Sequence, residues 1–239
     1  MKSLDTIELI QNMIVLVFDT ETTGLPAPGK PSIYETEKWP YVLQLSYIVY
    51  DTCKQEIVTI VDRLVKIPSH VVIPPESTSI HKITSDMCQT NGLPIKEVIT
   101  EFNIWVARSD YIVGHNVSFD KRMVIVESIR NSIKGLGLKI KPKCYCTMRN
   151  AVDVCQITAI SKNGTSYFKF PKLNELYSTL FTAMPAGLHD ALTDVLICLR
   201  CYCILTHIPD PYYVCDMFKQ SIAKSLDPNF GAYIPSLAT

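Results

Sequence analysis

Residues 13–24 read MIVLVFDTETTG, an apolar run that ends in two acidic residues one position apart. The run 13–18 is continuous, apolar and rich in β-branched residues, which is typical of a strand covered on both faces of a sheet. Side chains alternate along a strand, so we expect Asp19 and Glu21 to point to one side and Thr20 to the other. Neighbouring carboxylates repel unless a cation neutralises them, and a divalent metal with oxygen ligands is the simplest such cation. An isolated pair of this kind is more often only solvated at a strand end.

The chain has 239 residues, 47% of them hydrophobic, and 23 basic residues balance 23 acidic ones. This length and composition allow one sizeable core, so we expect a single main domain. No stretch approaches the roughly 20 uninterrupted apolar residues of a membrane helix. Asp5 and Glu8 interrupt the N-terminus where a signal peptide would be apolar. We therefore expect an intracellular protein of the cytoplasm or nucleus with no membrane partner.

Nine cysteines, an odd number, favour reduced thiols in a reducing compartment over a disulfide framework. A zinc site is the less favoured alternative, because the cysteines lack the paired C-x2-C knuckles of structural zinc sites. The residues concerned are Cys144, Cys146, Cys198, Cys201 and Cys203. Buried free cysteine, which behaves as a small hydrophobic residue, is the favoured interpretation.

The rest of the chain indicates strands first and then alternating helices and strands, which is typical of a mixed α/β layer fold. Hydrophobic alternation between turn-forming residues predicts the strands, and apolar residues at spacings of three and four predict the helices. The predicted strands are Leu43–Tyr50, Ile57–Val65 and Tyr111–Val113. The predicted helices start at Pro94, run from Phe119 to Gly135, span Leu173–Phe181 and run from Ala191 to a stop at Pro209.

Two segments lack such periodicity. The segment from Pro26 to Pro40 contains four prolines and one glycine, so we expect an irregular surface loop that forms a lid or a substrate rim. The tail from Asp210 to Thr239 is expected to pack on the domain, with partner binding as the alternative.

Two further segments place acidic residues at the start of predicted helices. Residues 114–120 read GHNVSFD and put Asp120 in the first turn of a helix, where a negative charge complements the helix dipole. Residues 189–194 read HDALTD and put His189 just before the last long helix, with Asp194 about one turn into it. Each segment has an ordinary structural explanation when it is taken alone.

Taken together and in this order, the three segments resemble the DEDDh, or DnaQ-like, family of 3′–5′ exonucleases, which includes the proofreading subunit of replicative DNA polymerases. FDTETTG is similar to the first motif of that family, GHNVSFD to the second and HDALTD to the third, with the H-x4-D spacing of the histidine type. WPYVLQLSYIVYD at 39–51, SIHKIT at 79–84 and KLNEL at 172–176 support the resemblance. Lys82 departs from the glycine that many relatives have.

The resemblance implies an α/β, ribonuclease H-like fold: a mixed sheet of about five strands with an antiparallel second strand and helices on both faces. Residues 1–208 would form the exonuclease domain and residues 209–239 a C-terminal extension. Four acidic residues would bind two Mg²⁺ or Mn²⁺ ions, one activating the attacking water and the other stabilising the leaving oxygen. These are Asp19, Glu21, Asp120 and Asp194. His189, on the loop before its helix, would be the general base, since an imidazole titrates near neutral pH.

Substrate contacts follow from the same resemblance. The residues assigned to them are Thr20, Thr22, Thr23, Gly24, Leu25, His115, Asn116 and Phe119. Thr22, Thr23 and the Gly24 backbone would bind the terminal 3′-hydroxyl. Leu25 and Phe119 would stack against the last base, or belong to the core instead.

The expected function is removal of 5′-mononucleotides from 3′ ends of DNA in proofreading, repair or degradation, either by a stand-alone enzyme or beside a polymerase or replication partner. An exoribonuclease and a non-catalytic nucleic-acid end-binding module are the alternatives. Without the four proposed metal ligands the chain has 23 basic residues against 19 acidic ones, which suits a nucleic acid. The densest basic segment could guide the phosphate backbone or be a solvated loop. It comprises Lys134, Lys139, Lys141, Lys143 and Arg149.

Overall fold

The computed structural model describes residues 13–134, 143–185 and 189–225. Within these residues a mixed sheet contains β1 (Ile14–Thr22), β2 (Val42–Asp51), β3 (Glu56–Lys66), β4 (Leu93–Pro94), β5 (Tyr111–Gly114) and β6 (Lys143–Cys146). Its strand order is β4-β3-β2-β1-β5-β6. Strand β2 is antiparallel to β1 and β3, whereas β5 is parallel to β1 and β6. The mixed sheet with an antiparallel second strand is thereby confirmed, with the two-residue β4 as a further strand.

A hairpin stands apart from this sheet and was not predicted from the sequence. It pairs β7 (Thr158–Ile160) with β8 (Ser166–Phe168). The helices in the described ranges are α1 (Pro75–His81), α2 (Ser85–Asn91), α3 (Ile95–Arg108), α4 (Val117–Arg130), α5 (Thr147–Asn150), α6 (Val152–Cys155), α7 (Leu173–Phe181), α8 (Ala191–Leu205), α9 (Pro211–Val214) and α10 (Asp216–Ser225). None of them is long and apolar enough to cross a membrane.

Strand β1 supplies side chains to two separate cores. Val15 and Val17 pack with the core that includes α7, α8 and α10, whereas Leu16 and Phe18 pack with the core of α3 and α4. All four residues are at most 1% exposed. Burial of each such side chain stabilises the fold by about 1.5–3 kcal/mol. Helices therefore cover both faces of the sheet, as expected for a ribonuclease H-like fold.

The strand extends further than its apolar run. Asp19 and Glu21 are still paired with β2, opposite Ser46 and Gln44, and the register shifts only between Glu21 and Thr22. The backbone hydrogen bonds to β2 hold these acidic residues in the sheet, although their side chains are polar. The acids are consequently fixed by a paired strand and not by a loop.

The predicted end of α4 at Gly135 is wrong for the helix, which ends at Arg130. Ser132 adopts a left-handed conformation (φ 53°), and Ile133 N–H donates to the Ser128 carbonyl at 2.8 Å. This six-to-one hydrogen bond is the Schellman arrangement that terminates helices. The buried Ile133 thus packs beyond the helix, and Gly135 lies outside the described residues. Helix α8 ends in the same way, at Leu205 and not at Pro209, with His207 left-handed (φ 60°).

Described residues of the C-terminal segment pack against the domain. Phe218 and Ile222 belong to the same core as α8. Arg200 of α8 is buried, and its Nε lies 3.0 Å from both carboxylate oxygens of Asp210, with Nη2 at 2.9 Å from Oδ2. The ion pair fixes the start of the segment, while residues 226–239 lie outside the described ranges. The division at residue 208 stays a prediction.

Candidate active site

Acidic residues from distant parts of the chain meet at the end of β1. Carboxylate oxygens of Asp19, Glu21 and Asp194 lie within 4.8 Å of one another. Asp120, in the first turn of α4, is outside that group of three, but its charge raises the pKa of each of them. The structure thus brings together all four acids that the sequence predicts as metal ligands.

Asp120 is buried and is oriented by Thr20. Thr20 donates its backbone N–H (3.2 Å) and its hydroxyl (2.7 Å) to Oδ1 of Asp120. Strand alternation turns Thr20 away from Asp19 and Glu21, which brings its side chain to the start of α4. The hydroxyl of Thr20, predicted to contact substrate, is therefore committed to a carboxylate of the cluster.

The cluster carries strong electrostatic repulsion. Burial, followed by the charges of Asp120, Asp194 and Glu21, raises the pKa of Asp19 well above its ordinary value. Burial and the neighbouring acids raise the pKa of Glu21 to about 8. Burial likewise raises the pKa of Asp194 to about 7. Carboxylates in such a setting either hold protons or need a cation beside them.

The donor set fits a divalent ion. Oδ1 of Asp194 is buried and has no hydrogen-bond partner among the described residues. A buried polar atom of that kind costs free energy unless something occupies it. The cluster offers oxygen ligands only, which Mg²⁺ and Mn²⁺ prefer. The residues present therefore match the metal that the sequence motifs imply.

His189 lies on the bend that precedes α8, where its side chain is exposed and its φ is 71°. Its backbone N–H hydrogen-bonds the Asp194 carboxylate. The next residue, Asp190, caps α8, because its Oδ2 accepts the Thr193 N–H at 3.0 Å. The backbone at 189–190 thus ties the exposed imidazole to the acidic cluster.

Sequence reasoning missed Asp190 and Gln44 as parts of this site. The charge of Asp190 raises the pKa of Asp19, Glu21 and Asp194. Buried Gln44 donates from Nε2 to Asp190 at 3.4 Å and to Asp62 at 2.8 Å. Gln44 thereby connects β2 to the start of α8. The pairing of Gln44 with Glu21 across β1 and β2 could be identified only from the sheet register.

A cleft of about 800 Å³ opens beside Glu21. Thr22, Thr23, Gly24 and Leu25, all predicted to contact substrate, line it. Gly24 has φ 143°, a conformation that L side chains rarely adopt. Leu25 is 82% exposed, so the alternative that it belongs to the core is wrong. Glu21, which belongs to the acidic cluster, is one of the residues that line the cleft, so the cleft adjoins the cluster.

His81 of α1 forms part of the opposite wall and had no predicted role, although it lies in the SIHKIT segment. Its Nδ1 accepts the Ile83 N–H at 3.0 Å, so Nε2 carries the proton of the neutral ring. Nε2 is buried and faces the backbone of Thr22, whose hydrogen bond raises the pKa of the ring. Burial is the larger effect and lowers the pKa of His81. The imidazole therefore connects α1 to the end of β1 beside the cleft.

The second motif, GHNVSFD, contains three residues that were predicted to contact substrate, namely His115, Asn116 and Phe119. His115 is braced through both ring nitrogens, with Nδ1 3.0 Å from Oγ1 of Thr147 and Nε2 3.0 Å from the Pro171 carbonyl. Burial lowers the pKa of His115 to about 4, so the ring is neutral. Asn116 is left-handed (φ 68°) and precedes α4. Phe119 packs against the core of α3 and α4, which favours its core interpretation.

The loop from Pro26 to Pro40 forms the rim of the cleft through Trp39 and Lys38. Trp39 is buried, and its Nε1 donates to the Ser32 carbonyl at 2.9 Å. Arg130 of α4 holds the end of the loop by donating to the Thr36 and Trp39 carbonyls at 2.6 and 3.0 Å. Within the predicted basic segment, Lys134, Lys143 and Arg149 are exposed, and Lys139 and Lys141 lie outside the described residues.

Known proteins resemble this chain in family and in fold. The family model RNase_T, described as Exonuclease, matches residues 16–202. No curated protein sequence matches the chain. Among solved structures, an apo exonuclease I is similar, with 16% identity and a TM-score of 0.57 over 92% of this chain and 44% of that one.

Two further exonuclease I structures are similar in fold. That from Methylocaldum szegediense shares 18% identity, with a TM-score of 0.57 over 84% of this chain and 42% of that one. That from E. coli, in complex with a dA16 oligonucleotide, shares 16% identity, with a TM-score of 0.57 over 91% of this chain and 42% of that one. The chain therefore spans less than half the length of the exonuclease I structures that it matches.

Proposed function

Because the chain belongs to the RNase_T exonuclease family over residues 16–202, we propose that it is a metal-dependent 3′–5′ exonuclease. Its substrate would be a DNA strand with a free 3′ end, and its product a 5′-mononucleotide. Family membership places the chain among the nucleases, which are hydrolases. The observation that carries the finer proposal is the convergence of Asp19, Glu21 and Asp194 within 4.8 Å, with Asp120 beside them.

The four acids would hold a pair of Mg²⁺ or Mn²⁺ ions. Bound there, such ions supply Lewis-acid stabilisation of the phosphoryl group and lower the pKa of the attacking water. Thr20 keeps Asp120 in position through two hydrogen bonds. The strand pairing of β1 with β2 keeps Asp19 and Glu21 on one side. The chain thus supplies a fixed array of oxygen ligands, which is what positional catalysis on phosphate requires.

His189 would act as the general base. It takes a proton from the water that attacks phosphorus, while the bond from phosphorus to the 3′-oxygen of the preceding nucleotide breaks. An imidazole is suited to this transfer because its pKa lies near neutrality, whereas a carboxylate that binds a metal is a poor base. The exposed position of His189 on the bend before α8 lets the proton pass on to solvent.

The cleft would bind the 3′-terminal nucleotide. Thr23 accepts the Tyr41 N–H at 3.0 Å, and its hydroxyl can donate to an oxygen of the nucleotide. Exposed Leu25 offers an apolar surface to the terminal base, which suits contacts that do not select among bases.

The test is digestion of a 5′-labelled single-stranded DNA by the purified chain. We expect shortening from the 3′ end, release of 5′-mononucleotides by mass spectrometry, and loss of activity in EDTA. Asp19→Asn should lower the rate by at least about a hundred-fold, since even the loss of a residue that only hydrogen-bonds a metal ligand costs about 10–100-fold. Asp86→Asn, an exposed aspartate of α2, is the matched control.

Internal cleavage, shortening from the 5′ end, or full activity in EDTA would contradict the proposal. A matched RNA strand in the same assay separates the deoxyribonuclease from the exoribonuclease alternative. The non-catalytic alternative predicts binding of the labelled strand with no products under any metal.

A further inference from the structure

The hairpin of β7 and β8 has no place in the central sheet. Its register pairs Thr158 with Phe168 and Ile160 with Ser166, so these four side chains share one face. Tyr167 points to the other face. Isolated two-stranded hairpins are marginally stable in water, and this one exposes apolar side chains on both faces.

Three aromatic side chains stand along the second strand and its continuation. Tyr167 is 50% exposed, Phe168 48% and Phe170 54%. Large apolar groups clustered on a surface commonly mark a binding site, whereas single ones need no explanation. Since Tyr167 and Phe168 lie on opposite faces, the hairpin presents an aromatic ring on each face, which suits an occupant with several flat, apolar groups.

The charge of the hairpin indicates which kind of molecule would bind to it. Residues 156–174 contain three lysines and no acidic residue. Lys169 binds both carboxylate oxygens of Glu175 at 2.6 and 2.7 Å, which anchors the hairpin to α7. Lys162 in the turn and Lys172 remain exposed. Aromatic side chains beside exposed cations match a single-stranded nucleic acid, whose bases stack and whose phosphates are anionic.

The hairpin is also fixed relative to the acidic cluster. Its second strand leads to Pro171, whose carbonyl lies 3.0 Å from Nε2 of His115. His115 lies five positions before Asp120 in the second motif. This contact joins the base of the hairpin to the chain segment that carries a proposed metal ligand.

We propose that the β7–β8 hairpin binds the single-stranded part of the substrate on the 5′ side of the scissile bond. Tyr167, Phe168 and Phe170 stack with bases, and Lys162 contacts phosphate. Since any base can stack, the contact holds the strand between successive cleavages without selecting a sequence. The inference rests on the proposed function for its geometry, because the cleft would hold the 3′ end of the same strand.

A second copy of the chain is a poorer occupant. Lysine in an exposed hairpin is itself a device against edge-to-edge association.

The test compares a long strand with a mononucleotide. Affinity for fluorescent dT20 is measured in Ca²⁺, and turnover is measured with the p-nitrophenyl ester of thymidine 5′-monophosphate in Mn²⁺. For Tyr167→Ala/Phe168→Ala we expect affinity for dT20 to fall about five-fold to a hundred-fold, on the scale of one or two lost base stacks. Turnover of the ester should not change, since it occupies the cleft alone. Ile104→Ala, an exposed apolar residue of α3, is the control.

The single variant Lys162→Glu provides a second readout. It should weaken dT20 binding and reduce its dependence on salt, whereas Lys96→Glu on α3 should change neither. Unchanged dT20 affinity in both hairpin variants would overturn the inference. So would a chain that sediments as a dimer and becomes a monomer in the double variant, because the hairpin would then be a contact between copies. If wild-type protein hydrolyses neither substrate, the proposed function fails, while the dT20 comparison still decides the role of the hairpin.

Discussion

At the scale of single residues, the site depends on its carboxylates and also on the hydrogen bonds that orient them. Thr20 holds Asp120 through two donors, and Gln44 contacts Asp190 at the start of α8. Asp194 keeps one buried oxygen without a partner among the described residues. Substitutions that leave every carboxylate in place should therefore still alter the site.

Replacing Thr20 by valine should weaken metal binding without removing a ligand. Valine keeps the shape of the side chain but loses the 2.7 Å hydrogen bond to Asp120. We expect Mn²⁺ affinity to fall by about 10–100-fold, as for other residues that hydrogen-bond a metal ligand. Calorimetric titration with Mn²⁺ measures it. Thr20→Ser should restore affinity, and Thr100→Val on α3 is the control. Wild-type affinity in Thr20→Val would show that the hydroxyl does not orient Asp120.

His189→Ala should separate proton transfer from metal binding. Loss of a general base costs about 10²–10⁴-fold in kcat. Mn²⁺ affinity should stay the same, because residue 189 hydrogen-bonds Asp194 through its backbone N–H, which alanine keeps. Single-turnover digestion of labelled DNA gives the rate, and His70→Ala, also exposed, is the matched control. Unchanged turnover in His189→Ala would assign the base to another group.

At the scale of elements, α8 links the site to the C-terminal segment. Its first turn carries Asp194, and three turns of apolar residues later the same helix ends at Leu205. Arg200 lies between them, stacked 4.1 Å from the ring centroid of Phe181 and paired with Asp210. The docking of α9 therefore depends on a cation buried inside the helix layer.

Replacing Arg200 by leucine should destabilise the protein strongly. The change leaves the buried Asp210 carboxylate without its cation, and breaking a buried pair in this way costs about 3–5 kcal/mol. Urea unfolding followed by circular dichroism measures the loss. The double variant Arg200→Leu/Asp210→Leu should recover much of it, since it leaves no unpaired charge. Equal loss in the single and double variants would mean that packing on Phe181 and not charge pairing sets the effect.

At the scale of the whole molecule, stability and metal content should be linked. The carboxyl groups of the acidic cluster have raised pKa values, and that of Glu21 is about 8. A carboxyl whose folded pKa lies above its unfolded value, about 4.3 for Glu, stabilises the fold at low pH and loses that contribution as pH rises through the folded pKa. Metal-free protein should therefore become less stable between pH 5 and pH 8.

Thermal unfolding in EDTA and in Mn²⁺ tests this expectation. We expect Tm in EDTA to fall by roughly 5–10 °C across that range, given about 2–4 °C per kcal/mol for a chain of this size. Mn²⁺ at pH 8 should restore most of the loss, since a ligand that binds only the folded state stabilises it. Asp19→Asn/Glu21→Gln should flatten the pH dependence in EDTA. A pH dependence that is the same in this variant would place its origin outside the cluster.

Much of this architecture could be predicted from the sequence, because periodicity reports burial directly. The continuous apolar run 13–18 predicted β1 as a strand covered on both faces. Helix α7 matches its predicted bounds, Leu173–Phe181. The left-handed caps at Ser132 and His207 could not be predicted, since neither is a glycine. The three-residue strands β7 and β8 are too short and too exposed to show alternation.

Some residues of the candidate site could likewise be predicted from the sequence, and others could not. Its acids stand in motifs, so the resemblance identified them. Gln44 is a single polar residue in an apolar strand, and His81 is one of several polar residues in a short helix. Their roles depend on neighbours supplied by other elements, namely Asp190 for Gln44 and the cleft wall for His81. Only the tertiary structure brings those neighbours together.

Strand β1 packs into both cores and ends in the acidic cluster. Local opening of this strand is therefore coupled to unfolding of the whole domain. Neither helical layer can detach without exposing one face of this strand, so its amides should exchange with deuterium only when the whole domain opens. The residues that hold the ions would then be among the slowest in the molecule to exchange. Substitutions in the rim and the hairpin would alter substrate binding without unfolding such a scaffold, whereas substitutions in β1 would disturb both cores and the acidic cluster.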